Sequence, residues 1–203
     1  MAVTEIALLR LKTQEASSST KTLLQRAQKA QSEWSGYPVH FARQIEHSNY
    51  FYIFGGWKTI AEHNGEWIKS ETNQKLLTEL KDDVDVEWMF HVETDPSTSS
   101  IPLDAPVIAV SRYFVEAAQK AEFDNAFKND APNLGAHIAP FTYSGGWRID
   151  KEGDDEEFVL FSGWNKTEDH FGFAETEGFK EFAKIKSIIK GAEIKQVRLE
   201  KWG

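Results

Sequence analysis

The chain has 203 residues, of which 40% are hydrophobic and 13% aromatic, enough apolar material for a sizeable core and too much for a disordered chain. A formal net charge of −9 repels phosphate backbones and anionic lipid, which argues against nucleic acid and membrane as partners. There is no cysteine, so disulfides, a thiol nucleophile and thiolate metal sites are ruled out.

In chain order, Ile6 to Lys12 is a short apolar run that predicts a strand, and its alternation is unlike a signal peptide. No apolar run approaches the roughly 20 residues of a membrane span, so a cytoplasmic location is expected. The Ser/Thr cluster after Ala16 supplies N-cap hydroxyls; Leu23, Ala27, Ala30 and Trp34 follow at helical spacing, and Gly36, Tyr37 and Pro38 end that helix. Val39 to Glu46 and Tyr50 to Trp57 predict a hairpin turning at His47, Ser48 and Asn49. Thr59 and Glu62 fit a capping box that opens a helical stretch carrying His63. Leu76, Leu77 and Leu80 mark another helix, and Val84 to Val92 a strand. Residues 94–106, rich in Ser, Thr and Pro, read as a linker.

The same order then returns. Val107 to Phe114 predicts a strand, and Phe123, Ala126 and Phe127 share one face of a helix. His137 to Ile149 and Glu157 to Trp164 predict a second hairpin, with an acidic turn between them. A helix is expected from Thr167, with a stripe of Phe179, Phe182, Ile185 and Ile189 and a stop at Gly191. Ala192 to Lys201 is the last expected strand. The expected organisation is therefore a first half over 1–93, a linker over 94–106 and a second half over 107–203.

Two stretches are nearly the same: Phe54 to His63 reads FGGWKTIAEH, and Phe161 to His170 reads FSGWNKTEDH. With flanking residues, FYIFGGWKTIAEH aligns with FVLFSGWNKTEDH without a gap. The repeated unit is about 100 residues and occurs twice, too large and too few for a solenoid. Strand, helix, strand, strand, helix, strand in each half predicts an α+β fold of two ferredoxin-like repeats.

This order, with Gly-Trp at a strand end and a helical His after it, resembles the dimeric α+β barrel superfamily. That group includes the antibiotic-biosynthesis monooxygenases, the stress-responsive barrel proteins and the olivetolic acid cyclase-like enzymes. The resemblance spans nearly the whole chain and looks like the fused tandem members found in fungi. It implies that the two repeats pack sheet to sheet as an intramolecular barrel. A homodimer of that fused barrel is a further implied partner. A sheet with helices on one face has a second apolar face to cover, which suits such packing.

On this resemblance, His63 and His170 are candidate catalytic bases, since an imidazole titrates near neutrality. Trp57 and Trp164 are candidates for pocket walls, or else aromatics anchoring the strand–helix corner. Tyr52, Tyr113 and Tyr143 are candidate substrate-binding hydroxyls, and His40, His47, His91 and His137 candidate helpers. Arg10, inside an apolar strand, is a candidate substrate-binding cation, as against an edge Arg that reaches outward. The second half matches the family pattern more fully. Metal spacings such as HExxH are missing, as are the glycine-rich nucleotide motifs and the GxSxG elbow, so no metal and no cofactor are expected. Some barrels of this superfamily bind haem through a set that includes a strand Asn; Arg10 and Ser111 stand near that place here, which weighs against haem.

The expected partner is a hydrophobic small molecule, aromatic or polyketide-like. Three readings stay open. One is a cofactor-independent cyclase, dehydratase or isomerase of secondary metabolism working by His-mediated proton transfer. The second is a cofactor-free monooxygenase of the same superfamily, and the third a non-catalytic stress-responsive or ligand-binding barrel. A cavity of about 300 Å³ or more with a His reaching its wall would set the enzymatic readings apart from the non-catalytic one.

Overall fold

The computed structural model describes residues 1–97 and 101–202, so residues 98–100 of the expected linker lie outside the described residues. The chain forms two compact units, Met1–Ser99 together with Val197–Gly203, and Ser100–Gln196.

The first unit runs β1 (Val3–Leu11), α1 (Ser18–Ser35), β2 (His40–Gln44), β3 (Tyr50–Trp57), a π-helical turn (Glu62–Trp67), α2 (Glu71–Leu80) and β4 (Val84–Val92). Its strands are antiparallel in the order β4-β1-β3-β2. Local chemistry sets the helix ends. Ser17 Oγ accepts a bond from the Thr20 N–H at 3.1 Å, and Gly36 closes α1 with a φ of 76° that suits glycine. Ser70 Oγ accepts from the Asn73 N–H at 3.1 Å and starts α2.

The second unit repeats the order: β5 (Val107–Val115), α3 (Lys120–Ile138), β6 (Tyr143–Trp147), β7 (Glu156–Trp164), α4 (Thr167–Phe173), α5 (Glu177–Phe182) and β8 (Ile189–Glu200). The strand order is again the same, β8-β5-β7-β6. Both repeats are thus ferredoxin-like, α+β units with antiparallel sheets.

Two expected boundaries move. His137 was expected to begin a strand but lies in the last turn of α3. That helix runs on until Ala139, which precedes Pro140 and is held out of the helical region at ψ 138°. The helix expected to reach Ile189 breaks up after Phe182 into a 3-10 turn, and the strand begins at Ile189 rather than after Gly191. Ile188 still holds helical dihedrals as the cap of that turn, and the β-branched Ile189 begins the extended chain.

The last strand, expected over Ala192 to Lys201 and wholly within the second half, does not stay there. From Val197 on, β8 instead belongs with the first unit, where Val197 to Glu200 pair with Gln44 to Phe41 of β2. Trp202 then packs edge-on against Phe41 and Phe51 at ring separations of 6.0 and 5.6 Å and joins the first unit's core.

Candidate functional site

The pleat of β1 sorts the first unit's side chains. Glu5, Ala7 and Leu9 pair with Gly55, Ile53 and Phe51 of β3, and Glu5 and Ala7 pair on the other side with His91 and Met89 of β4. These residues share one face, the face that α1, the π-helical turn and α2 cover. On it lies a cavity of about 200 Å³, with His63 in its wall but smaller than the expected volume of about 300 Å³. Most of its wall is aliphatic, from β1, α1, α2 and β4. Its polar wall groups are Glu5, Gln31, His63 and Asn73. Glu5, Gln31 and His63 are buried, while the wall residues Leu77 and Val86 are exposed and mark the mouth.

The buried end is a hydrogen-bonded network. Glu5 Oε2 accepts bonds from Trp57 Nε1 at 2.7 Å and Gln31 Nε2 at 2.6 Å. His63 Nε2 lies 3.8 Å from the same oxygen, and His63 Nδ1 is hydrogen-bonded to His91 Nε2 at 2.7 Å. The His63 ring stacks on Trp57 at 4.1 Å and 8°. Burial raises the Glu5 carboxyl above its usual range, opposed by the bonds from Trp57 and Gln31 and by the nearby His91. With Glu5 ionised, donors run from His91 to His63 and from His63 towards Glu5; with Glu5 protonated, His63 can present an acceptor instead.

The π-helical turn aims this imidazole. Glu62 N–H bonds to Thr59 Oγ1 at 3.0 Å, and the Glu62 carboxylate accepts the Lys58 N–H at 3.0 Å, so the predicted capping pair opens the segment. Ile68 N–H then reaches back five residues to His63 O at 2.9 Å, which widens the turn and places His63 and Trp67 inward.

Of the residues singled out from sequence, His63 and Trp57 come together here, with His91. Tyr52 does not join them. It stands on the opposite face of β3, beside Phe54 and Trp88. Arg10 is half exposed at the β1–β4 edge and bonds Asp85 and Glu87, each at 2.6 Å.

The second unit repeats the corner with different chemistry. Val107 pairs with Trp164 as Val3 pairs with Trp57, so Ala109 and Ser162 occupy the places of Glu5 and Gly55. Trp164 Nε1 donates to Ser162 Oγ at 2.9 Å, in place of a carboxylate. His170 stacks on Trp164 at 4.6 Å and 29°, and its Nδ1 is 3.0 Å from Gln196 Nε2. Burial lowers the His170 imidazole to about 4, which leaves it neutral.

Tyr113 takes the register place of Leu9. Its phenol, pushed up to about 12 by burial against a bond with Ser111, keeps its proton. Phe123 packs against Tyr113, Phe127, Trp147 and Phe158, and Tyr143 against Phe127, so rings fill the space between α3 and this sheet. An open cleft of about 380 Å³ lies beside His137, Trp164, Glu168 and Asp169. Tyr113 and Tyr143 do not line it.

Sequence reading passed over Glu5 and Gln31. The available signal was a lone carboxylate inside an apolar strand, with a glycine at the matching place in the strand ending GGW.

Among the described residues, no group of three His, Asp or Glu side chains is arranged to hold a metal ion, and no helix is long and apolar enough to cross a membrane. No family model matches the sequence, and no curated protein does. The fold does match solved structures. A candidate monooxygenase of Fusobacterium nucleatum is similar over 98% of this chain and 93% of its own, at a TM-score of 0.68 and 11% identity. An anthrone oxidase-like protein matches over 98% and 92%, at 0.68 and 10%. A candidate chlorite dismutase matches over 100% and 96%, at 0.66 and 12%. At these identities the likeness establishes the fold and leaves the chemistry to the site.

Proposed function

We propose that the first unit's cavity is an active site in which His63 moves a proton on a hydrophobic small molecule, and that the chain is a cofactor-free monooxygenase. The observation that carries this is an inward imidazole in the wall of an apolar cavity, stacked on Trp57 and bonded to His91. The candidate monooxygenase and the anthrone oxidase-like protein among its structural neighbours support the choice of reaction.

The substrate class is a molecule of one or two rings with an acidic C–H beside a carbonyl. The volume, below the usual range for drug-sized ligands, sets that upper size. His63 takes the proton, and the electron-rich carbanion reduces dioxygen and combines with it to give a peroxide. Return of the proton gives a hydroperoxide, which loses water to leave a carbonyl. The sum is CH₂ plus O₂ giving C=O plus H₂O, so no external reductant is needed. The apolar walls keep bulk water from the carbanion. A cyclase, dehydratase or isomerase would use the same proton transfer without oxygen.

The test is oxygen uptake by the full chain on a panel of enolisable one- and two-ring ketones, with product mass. His63→Ala abolishes turnover while His170→Ala retains it. Product formation without oxygen uptake would support the cyclase, dehydratase or isomerase reading. Turnover that survives His63→Ala would remove the proposed base.

A further inference from the structure

We propose that Glu5 makes the first unit's cavity selective for uncharged, hydroxyl-bearing molecules and closes it to carboxylates. The proposal rests on reading that cavity as the substrate site, and it narrows the substrate class.

The groups facing Glu5 are Gln31 from α1, Trp57 from β3, His63 from the π-helical turn and His91 across from it on β4. Among the described residues lining the cavity, none is Lys or Arg. Positive charge can come only from the bonded His63–His91 pair, of which His63 alone lines the cavity. If it is neutral, the site carries the charge of Glu5 alone or none. If it is protonated, the positive charge 3.8 Å away favours the ionised form of Glu5, which cancels it. In neither state does the wall offer net positive charge, and an entering carboxylate would lose its water shell without gaining a cationic partner.

A hydroxyl meets the opposite situation. It can donate to the carboxylate and accept from Gln31 or His63, while its apolar body lies along Ala7, Leu9 and Met89 towards the mouth. The second unit, with Ala109 in place of Glu5, lacks this filter.

The experiment uses 1-naphthol and 1-naphthoate as probes of one shape and different charge. Binding to the full chain is measured by calorimetry, with the Trp57 indole N–H resonance locating the probe. An acid with a pKa near 4 is protonated in about one molecule in a thousand at pH 7. If only the neutral form enters, naphthoate binds about 1000-fold more weakly than naphthol at pH 7. Its affinity then strengthens about tenfold for each pH unit of acidification, while that of naphthol stays flat from pH 6 to 8.

In Glu5→Gln the naphthoate penalty shrinks relative to naphthol. Because the pH dependence is read on the unaltered protein, the test survives a variant that fails to fold. Naphthoate binding as tightly as naphthol at pH 7, or an unchanged ratio in folded Glu5→Gln, overturns the proposal and leaves the cavity as a ligand site. If neither probe shifts the Trp57 resonance, the cavity reading falls and this proposal with it.

Discussion

Replacing Gly55 by alanine tests the buried network directly. Gly55 faces Glu5 across the β1–β3 ladder. A Cβ built there lies 2.9 Å from both Glu5 Oε2 and Gln31 Nε2, where ordinary contact begins at 3.4 Å. Both side chains must therefore retreat by roughly 0.5 Å, the gap between those two distances. Yet these same two atoms are bonded to each other at 2.6 Å, and the carboxylate is also held by Trp57 at 2.7 Å. Moving them loosens charge-assisted bonds worth about 1.5–3 kcal/mol each.

Without the clash, Gly→Ala would stabilise by about 0.4–1 kcal/mol through the unfolded chain, so the sign of the effect is informative. We expect a net loss of about 1–3 kcal/mol. At this chain length that lowers Tm by about 2–4 °C per kcal/mol. Urea unfolding of Gly55→Ala, Glu5→Ala and the double variant forms the cycle. Removing Glu5 relieves the clash, so the double variant should be about 0.5–3 kcal/mol more stable than additivity predicts. A Gly55→Ala protein as stable as the parent, or a strictly additive cycle, would show that Glu5 does not sit against this glycine.

Further outcomes follow from the same geometry. The His170 imidazole is depressed from 6.5 to about 4, so its neutral burial contributes stability that is complete above pH 6.5 and declines as pH falls to 4. The loss is at most roughly 3 kcal/mol, and His170→Gln should flatten the urea midpoint across that window. Glu5 is shifted the other way, so the cost of ionising it appears as pH rises above the ordinary carboxylate range. Thermal melts should then show Glu5→Gln gaining on the parent from pH 4 to 7. Trp202→Ala removes rings packed on Phe41 and Phe51 and should cost about 3–5 kcal/mol by urea unfolding. An effect under 0.5 kcal/mol would place Trp202 outside the first unit's core.

Much of the fold was legible in the chain itself. The apolar alternation of strands, the Ser17 and Thr59 caps and the repeated GW corner are local patterns, and local backbone chemistry realises them without help. The Trp–His stack recurs in both units because both residues of each pair lie within one short repeat. The site was less legible. Tyr52 and Ile53 are neighbours in sequence, but the pleat sends them to opposite faces, and only Ile53 reaches the cavity. Arg10 looked available until Asp85 and Glu87, distant in sequence, were brought beside it. Glu5 was marked locally only as a lone carboxylate inside an apolar strand. Its burial depends on Gln31 arriving from α1, Trp57 from β3 and the space left by Gly55, contacts separated by 26 and 52 residues. Sequence thus determined the elements, their order and their duplication, because those arise from short-range periodicity. Tertiary structure alone decided which half carries a carboxylate over an open cavity and which fills that space with rings, because that outcome depends on side chains meeting across the fold.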